Sequence, residues 1–312
     1  MGKTMTVPLS VLIPTKNEEK NIRKCLESVS WADEVYIVDS WSTDRTTEIA
    51  QSMRATVVPF SWDGKGPRKK NWALDHLPWK HDWVLVVDAD EEVTPALRDE
   101  IAAVVSRPST YAAFLIPYHY YFLGRLLRHG APLWKLILFK HGLARFERME
   151  VPEVTEYDVE LHEHPLVRGP IGRLHSPMIH HDFEDLHHHF LRHNIYSDWE
   201  ALLRTRYRHR NCTGEICPRL FGSAVERRRF LKHCFLNLPG KPWAYFVYSY
   251  VLRGGFLDGR PGFIYNVLKA FYWYQIGIKR YELRVRERSE VQGPQSRGPG
   301  GVREWDTISP KG

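Results

Sequence analysis

Cysteine is scarce. Four residues in 312, Cys25, Cys212, Cys217 and Cys234, contain no C-x-x-C pair, and their spacing fits no common zinc pattern. They read as reduced, mostly structural thiols in a cytosolic setting. Long apolar runs are missing as well. No window holds the roughly 18 uncharged apolar residues of a spanning helix. The first stretch, MGKTMTVPLSVLIPT, has too short an apolar run for a signal peptide. The expectation is a chain that is soluble or lies on a membrane surface. The turn after the first apolar run, IPTKNEE, has no G-x-G-x-x-G, which sets aside a nicotinamide-dependent oxidoreductase. The basic residues are scattered with no recognisable reading motif, so no nucleic-acid partner is expected.

What is present is ordinary in bulk and unusual in places. The chain is 43% hydrophobic and 26% charged, with a formal net charge of +7. It can bury a sizeable core, and its positive balance suits an anionic partner. Aromatics reach 13%, much of it in the last third. Such residues favour membrane interfaces and sugar-binding surfaces, or simply pack a core.

The first hundred residues alternate strand and helix patterns. PLSVLIPT is a buried strand, and NEEKNIRKCLESV places Ile22, Leu26 and Val29 at helical spacing with acids in its first turn. ADEVYIVDS is a second strand ending at Asp39. STDRTTEIAQSM is a helix with Ser42 and Asp44 as caps. ATVVPF is a third strand, GPRKKNWALDHL a loop entering a helix, and DWVLVVDADE a fourth strand. TPALRDEIAAVV follows as a helix capped by Thr94 with Pro95 at its first position. Continuous apolar strands separated by helices predict an α/β class with a parallel, doubly wound sheet. Ligands of such sheets bind beyond the carboxyl ends of the strands. The polar clusters sit there: residues 15–18, Asp39-Ser40 and residues 88–92. Later, TYAAFLIPYHYYFLG and KLILFKHG read as further strands or a hairpin, and residues 220–285 as helical.

The stretch WVLVVDADEEVTP drives a buried strand into four carboxylates. Like charges this close repel and raise each other's pKa. They make sense with positive charge beside them. Asp88 and Asp90 offer oxygen ligands to Mg²⁺ or Mn²⁺, which keep open positions for substrate phosphates. The alternative is a loop of solvated acids in which Glu91 and Glu92 favour the dipole of the next helix. Seven histidines, His175 to His193, fall within 19 residues. One reading makes one of them a metal ligand; another makes a separate zinc site, disfavoured because HEH lacks the H-E-x-x-H spacing. His187 to His189 read as solvated helix surface.

Taken in order and spacing, VLIPTKNEEKNIRKCLESV, EVYIVDSWSTDRTTEIA and WVLVVDADEEVTPAL resemble the family 2 glycosyltransferases of the GT-A fold, and GKGPRKKNWAL resembles that family's Gly-loop. VELHEHPLV, SPMIHHDFEDLHHHFLRHNIYS and GGFLDGRPGFIYNVLKAFYWYQIGIKRYEL resemble the lipopolysaccharide core β-1,4-glucosyltransferase-like subgroup. The resemblance implies a Rossmann-like, mostly parallel sheet flanked by helices with an aromatic-rich helical extension. It implies an inverting transfer from a nucleotide sugar such as UDP-glucose to a lipopolysaccharide-core or other envelope glycan, or a lipid-linked acceptor. By resemblance Pro14, Thr15, Glu18 and Asp39 hold the uridine, Arg68 approaches the diphosphate, and Asp88 faces the ribose or the metal indirectly. Asp90 and His180 hold Mn²⁺ or Mg²⁺, and Glu163 is the base, with Glu160, Glu156 and Asp182 as rivals. For Arg68 the alternative is a solvated basic loop with Lys65, Lys69 and Lys70. For Glu163 it is a surface ion pair. Trp41 stands where the family more often has a small residue.

The expected layout is a transferase domain over 1–215, with a nucleotide-binding half to about residue 105 and an acceptor half from 106. A helical extension over 216–290 and a disordered tail from 291 follow. The extension mixes aromatic, apolar and basic residues, as does a segment lying in a headgroup plane. It would place the chain on the inner face of the cytoplasmic membrane, against an anionic surface. A packed helical subdomain or a homodimer interface is the other reading. A non-catalytic nucleotide-sugar or membrane-binding protein that kept the fold, and a transferase acting on polyprenyl phosphate, are the competing functions.

Overall fold

The computed structural model describes residues 6–62, 68–131, 133–147, 165–181, 185–206, 219–222 and 240–291, with scattered positions between 226 and 238. Four strands begin it: β1 (Val7–Thr15), β2 (Ala32–Asp39), β3 (Thr56–Pro59) and β4 (Trp83–Val86). They lie in the order β3-β2-β1-β4, all parallel. Leu9, Val11, Leu12 and Ile13 of β1 have no exposed surface. Both faces of the strand are covered, which is why it reads as an unbroken apolar run.

The connections are helices α1 (Ile22–Val29), α2 (Thr46–Ser52) and α3 (Lys69–His76). In α1 the buried residues are Ile22, Cys25, Leu26 and Val29, one stripe at helical spacing against the sheet. The acids before it, Glu18 and Glu19, lie outside its first turn. Ser42 is not a cap of α2: its hydroxyl turns back to Asp39, and Asp44 instead accepts from the Thr46 N–H at 3.0 Å.

Beyond β4 the sheet becomes mixed. β4 pairs antiparallel with β8 (Leu133–Lys140), and β8 pairs antiparallel with β6 (Ala113–Phe122). β6 runs parallel to β12 (Met178–His180), which pairs antiparallel with β5 (Glu91–Val93). Thus the later apolar stretches are strands, as expected. β7 (Arg125–Leu127) folds back on the end of β6, and β11 (Ile171–Arg173) pairs with its start. β9 (Ala144–Phe146) and β10 (Pro165–Val167) form a separate two-stranded ribbon. Helix α4 (Pro95–Val105) begins as expected, with the Thr94 hydroxyl accepting from Leu97 N–H at 3.2 Å. Glu91 and Glu92 are not its caps; they belong to β5, before Thr94.

The C-terminal part is helical. It comprises α5 (Leu186–Arg206), α6 (Lys241–Phe246), a π-helical turn over Val247–Leu252, a 3₁₀ turn over Gly255–Asp258 and α7 (Gly259–Val291). Lys279 of α7 joins α5 through Asp198 at 2.7 Å and the Asn194 carbonyl at 2.8 Å. The stretch GGFLDGRPG is a joint between this unit and the sheet edge. Asp258 is buried and accepts from the backbone N–H groups of Arg128 and His129, at 3.1 and 2.9 Å, and lies 2.9 Å from His129 Nδ1. Gly262 lies so close to the 3₁₀ turn that a Cβ there would sit 2.5 Å from the Gly255 carbonyl oxygen. A backbone atom cannot yield as a side-chain tip does, so only glycine fits. Gly262→Ala is expected to lower stability by about 1–3 kcal/mol in urea unfolding. Gly277→Ala, in the same helix with nothing within 4 Å of the added carbon, is the control and is neutral or stabilising by about 0.5–1 kcal/mol.

Candidate functional site

The carboxyl ends of β1, β2 and β4 meet at one edge, and register puts Thr15 beside Asp39. The Thr15 hydroxyl donates to Asp39 Oδ1 at 2.8 Å. Ser42 donates to the same carboxylate twice, from its hydroxyl to Oδ1 at 2.5 Å and from its N–H to Oδ2 at 2.7 Å. A carboxylate has about four acceptor positions. Among the described residues Oδ2 uses one, so Asp39 is fixed in orientation and retains capacity for a ligand N–H. The two loops above it are tied together, with Asn17 Oδ1 accepting from Thr43 N–H at 2.8 Å and Thr46 Oγ1 accepting from Glu18 N–H at 2.7 Å. Asn17 and Trp41 both hold positive φ, 55° and 57°. For a bulky ring such as Trp41, which is 66% exposed, that conformation costs roughly 1–2 kcal/mol. Backbone strain of this kind gathers at ligand-clamping loops.

The carboxylates after β4 are interleaved with cations from the chain itself. Lys70, in the first turn of α3, lies 3.3 Å from Asp88 Oδ1. Lys135, in the middle of β8, lies 3.4 Å from Asp88 Oδ2 and 2.6 Å from Glu91 Oε1. Burial works against charge on Asp88, but Lys70, Lys135 and His180 outweigh it and hold its carboxyl well below the usual range. Burial likewise opposes charge on Lys135, and Glu91, Tyr118 and Asp88 override it, raising its pKa well above normal. Glu91 is 2% exposed. Its other oxygen accepts from the Tyr118 hydroxyl at 3.1 Å and from the Asp88 N–H at 3.0 Å. It therefore locks the turn that carries Asp88, Ala89 and Asp90. The solvated-acid reading fails for Glu91, and the solvated-loop reading fails for Lys69 and Lys70. Lys69 is buried and donates to the Thr15 carbonyl at 3.0 Å.

Asp90 has a different partner. Its carbonyl accepts from His181 N–H at 2.8 Å, and its carboxylate Oδ2 lies 3.1 Å from His180 Nε2. Burial opposes the charged form of each, and the pairing overrides it, lowering the pKa of Asp90 and raising that of His180. His180 Nδ1 is buried without a hydrogen-bond partner among the described residues. A carboxylate oxygen facing an imidazole, on a ring whose other nitrogen is unsatisfied, is a donor set that suits Mn²⁺ or Mg²⁺ if phosphate oxygens complete the shell. Among the described residues no group of three or more histidine, cysteine or acidic side chains converges as a cage. Asp90 and His180 could therefore supply two ligands of such a site. Glu18 stands close by. Burial raises its pKa, a hydrogen bond from Asn21 opposes this, and Asp90 and Asp88 add to the rise.

Pro14, next to last in β1, lies beside Val38. Arg68 precedes α3 and stacks its guanidinium over Trp62, 5.1 Å from the ring centroid. Glu163 and its rivals Glu156, Glu160 and Asp182 lie outside the described residues. Of the histidine cluster, His187 and His188 are exposed as expected, but His189 and His193 are buried, with rings stacked 3.9 Å apart. Sequence reasoning passed over Lys135 and Tyr118. The signal for Lys135 was there, a lysine inside the apolar strand LWKLILFK, where only a buried acid can accompany it.

Residues 10–156 match the model of the glycosyl transferase family 2. The chain is 43% identical over 102 residues to an uncharacterized glycosyltransferase of Rickettsia bellii (strain RML369-C), covering 32% of this chain and 34% of that protein. It thus spans about a third of that relative's length. It is 25% identical over 283 residues to the lipopolysaccharide core biosynthesis glycosyltransferase LpsC of Rhizobium meliloti (strain 1021), covering 88% of this chain and 93% of that protein. Among solved structures it is similar to the mannosyltransferase PcManGT from Pyrobaculum calidifontis in complex with GDP-Man and Mn²⁺, at 16% identity and a TM-score of 0.49, over 88% of this chain and 87% of that one. The family resemblance and the α/β class expected from the sequence are both borne out.

Removing one member of a buried ion pair leaves an uncompensated charge. Lys135→Met is expected to lower stability by about 3 kcal/mol in denaturant unfolding. Adding Glu91→Gln should recover part of that loss, because the orphaned charge goes with it; strictly additive losses would show that the two residues are not coupled.

Proposed function

We propose, for a chain that belongs over residues 10–156 to the family 2 glycosyltransferases, that it is a metal-dependent inverting sugar transferase. Its donor is a nucleotide sugar of the UDP-glucose class, and its acceptor a hydroxyl of a lipopolysaccharide-core or other envelope glycan. The carrying observation is the Asp90–His180 pair, 3.1 Å apart although 90 residues separate them, at the strand edge that holds Asp39 and Asp88. The similarity to LpsC along most of both chains supports the acceptor class.

In this reading Asp39, held by Thr15 and Ser42, accepts from the nucleotide base, with Pro14 and Glu18 at its rim. Asp88, fixed by Lys70 and Lys135, faces the ribose. Arg68 approaches the diphosphate. Asp90 and His180 hold Mn²⁺ or Mg²⁺, which when bound neutralises charge on the departing nucleoside diphosphate. The acceptor hydroxyl is a weak nucleophile and loses its proton as it attacks the anomeric carbon. Glu163 takes that proton while the new C–O bond forms on the face opposite the breaking bond to the diphosphate.

Calorimetry with a panel of nucleotide sugars, with and without Mn²⁺, tests the reading. One nucleotide sugar should bind in a Mn²⁺-dependent way, Asp90→Asn should lose that dependence, and Glu163→Gln should keep donor affinity while losing about 10²–10⁴ in transfer rate. Full Mn²⁺-dependent binding by Asp90→Asn would remove the metal assignment, and transfer by Glu163→Gln at the wild-type rate would move the base elsewhere.

The helical part supports a second element of the proposal, residence on the inner face of the cytoplasmic membrane. No helix of the described residues is long and apolar enough to cross a membrane. Yet Trp243, Leu252 and Leu257, in α6, the π-helical turn and the 3₁₀ turn, are 77%, 72% and 54% exposed, and Arg253 and Arg260 close to Leu252 and Leu257 in sequence are exposed too. A segment that exposes both apolar and basic side chains suits the headgroup boundary of an anionic bilayer. Leu252→Asp combined with Trp243→Asp should cut co-sedimentation with phosphatidylglycerol vesicles several-fold. Unchanged sedimentation, or a protein whose mass instead doubles with concentration through this face, would replace the membrane with another partner.

A further inference from the structure

Helix α7 turns one face inward and leaves the other exposed. Asn266 and Ile276 are buried, Tyr272 meets His193 of α5 with ring centroids 5.2 Å apart, and Lys279 reaches Asp198 of α5 at 2.7 Å. On the opposite side Val267, Phe271, Tyr274, Ile278, Tyr281 and Val285 are each between 40% and 70% exposed. We propose that a second copy of the chain docks on this stripe, α7 against α7 in antiparallel sense, so that the protein is a homodimer with its two-fold axis near Ile276. The pairing does not depend on the transferase reading.

The spacing of the stripe selects a helix as its cover. Successive members are 4, 3, 4, 3 and 4 residues apart. That is the a/d repeat of a helix–helix seam, narrower than the apolar face of an ordinary surface helix. At 1.5 Å per residue the seam runs about 27 Å. A lipid surface asks for a different pattern. Helices that lie among headgroups carry Lys and Arg on the polar face beside the apolar one. Here Leu268, Ala270, Gln275, Gly277, Glu282 and Arg284 flank the seam, and only the last of them is basic.

The order of the seam selects a second copy. Its spacing reads the same from either end, and so does its bulk: a valine at each end, then an aromatic ring, with Tyr274 and Ile278 at the centre. Turned about a two-fold axis, Val267 meets the partner's Val285, Phe271 meets the partner's Tyr281, and Tyr274 meets the partner's Ile278. Each contact is then made twice, as an isologous interface requires. A parallel pair would instead bring Arg288, the next seam position, against its own copy.

The exposed area is sufficient. Aromatic side chains bury about 150–250 Å² each. At these exposures the six residues offer roughly 600 Å² per copy, and a pair covers roughly 1,200 Å², which reaches the range of stable protein interfaces before any flanking residue contributes.

Sedimentation equilibrium of the full chain over a wide concentration range tests the pairing. Wild type should reach twice the chain mass. Tyr274→Glu combined with Ile278→Glu should raise the monomer–dimer dissociation constant by at least about a hundredfold, because charges would enter the seam unpaired, while the circular dichroism stays that of wild type. Tyr274→Phe combined with Ile278→Leu should keep the dimer. Trp243→Asp combined with Leu252→Asp, outside the seam, should leave the mass unchanged. Copies carrying Phe271→Cys, mixed with copies carrying Tyr281→Cys under mild oxidation, should cross-link above the background set by the exposed Cys234, and neither variant alone should exceed that background. A chain that stays monomeric at every concentration, or a glutamate pair that leaves the dimer intact, would overturn the assignment. So would cross-linking of each cysteine variant with itself, the mark of a parallel pair. A monomer whose co-sedimentation with phosphatidylglycerol vesicles falls with Tyr274→Glu and Ile278→Glu would overturn it too, and would make the stripe a membrane surface.

Discussion

Lys135 stands in a central strand with its ammonium 2.6 Å from a carboxylate that is 1% exposed. Neither charge is stable there alone; together, with the Tyr118 hydroxyl and the Asp88 N–H also on Glu91, they form a satisfied polar core under the strand tip. The turn from β4 to β5 hangs on this arrangement. Glu91 fixes the Asp88 backbone from below, and Lys70 and Lys135 hold the Asp88 side chain from the side. Asp90 is then carried to the edge of β5, where its carbonyl meets His181 and its carboxylate meets His180. The repulsion expected from four acids in five residues is thus settled mostly within the protein. Asp90 is paired with the His180 imidazole, whereas Asp88 and Glu91 are held by lysine and Glu92 by both Lys24 and His181; the metal role proposed for Asp90 rests on that difference.

Much of the nucleotide half was legible because its signals are local. The apolar run Val84 to Val87 reads as a strand buried on both faces; all four residues are buried, and the strand itself runs to Val86. Ile22, Leu26 and Val29 read as one helix face, and Thr94-Pro95 as a helix start, and each holds. The roles of Glu91, Lys70 and Lys135 were hidden for the opposite reason. A carboxylate beside Thr94 looks like a cap until a lysine 44 residues away is brought to it by the pairing of β8 with β4 and β6. The histidine cluster divides in the same way. His188 faces solvent, whereas His189 and His193 are covered by aromatic rings from β6 and α7 that no periodicity within α5 announces. The resemblance pointed to His180, and the structure brings it to Asp90; Glu163, chosen in the same manner, lies outside the described residues and stays a proposal.

The aromatic wealth of the last third serves more than one end. Tyr265 and Tyr272 face inward, against Tyr120, Phe122 and His193, and build the wall between sheet and helices. Trp243, Leu252 and Tyr281 face out. The joint at Asp258 and Gly262 holds these two surfaces in a fixed relation to β7 and hence to β6. Under the proposed function the acceptor comes from a membrane surface to a strand-end site, and such a fixed relation would then matter, since misplacement by about 1 Å costs on the order of 10²-fold in rate.

The measurement that tests the account most directly is a crystal structure of the full chain with a nucleoside diphosphate and Mn²⁺, with anomalous scattering used to locate the metal. The account predicts an anomalous peak bound by Asp90 and His180 and by the diphosphate, with Lys135 still on Glu91 and Asp88. A peak coordinated by Asp88 after Lys70 and Lys135 have withdrawn, or a nucleotide bound with no metal near Asp90, would contradict it.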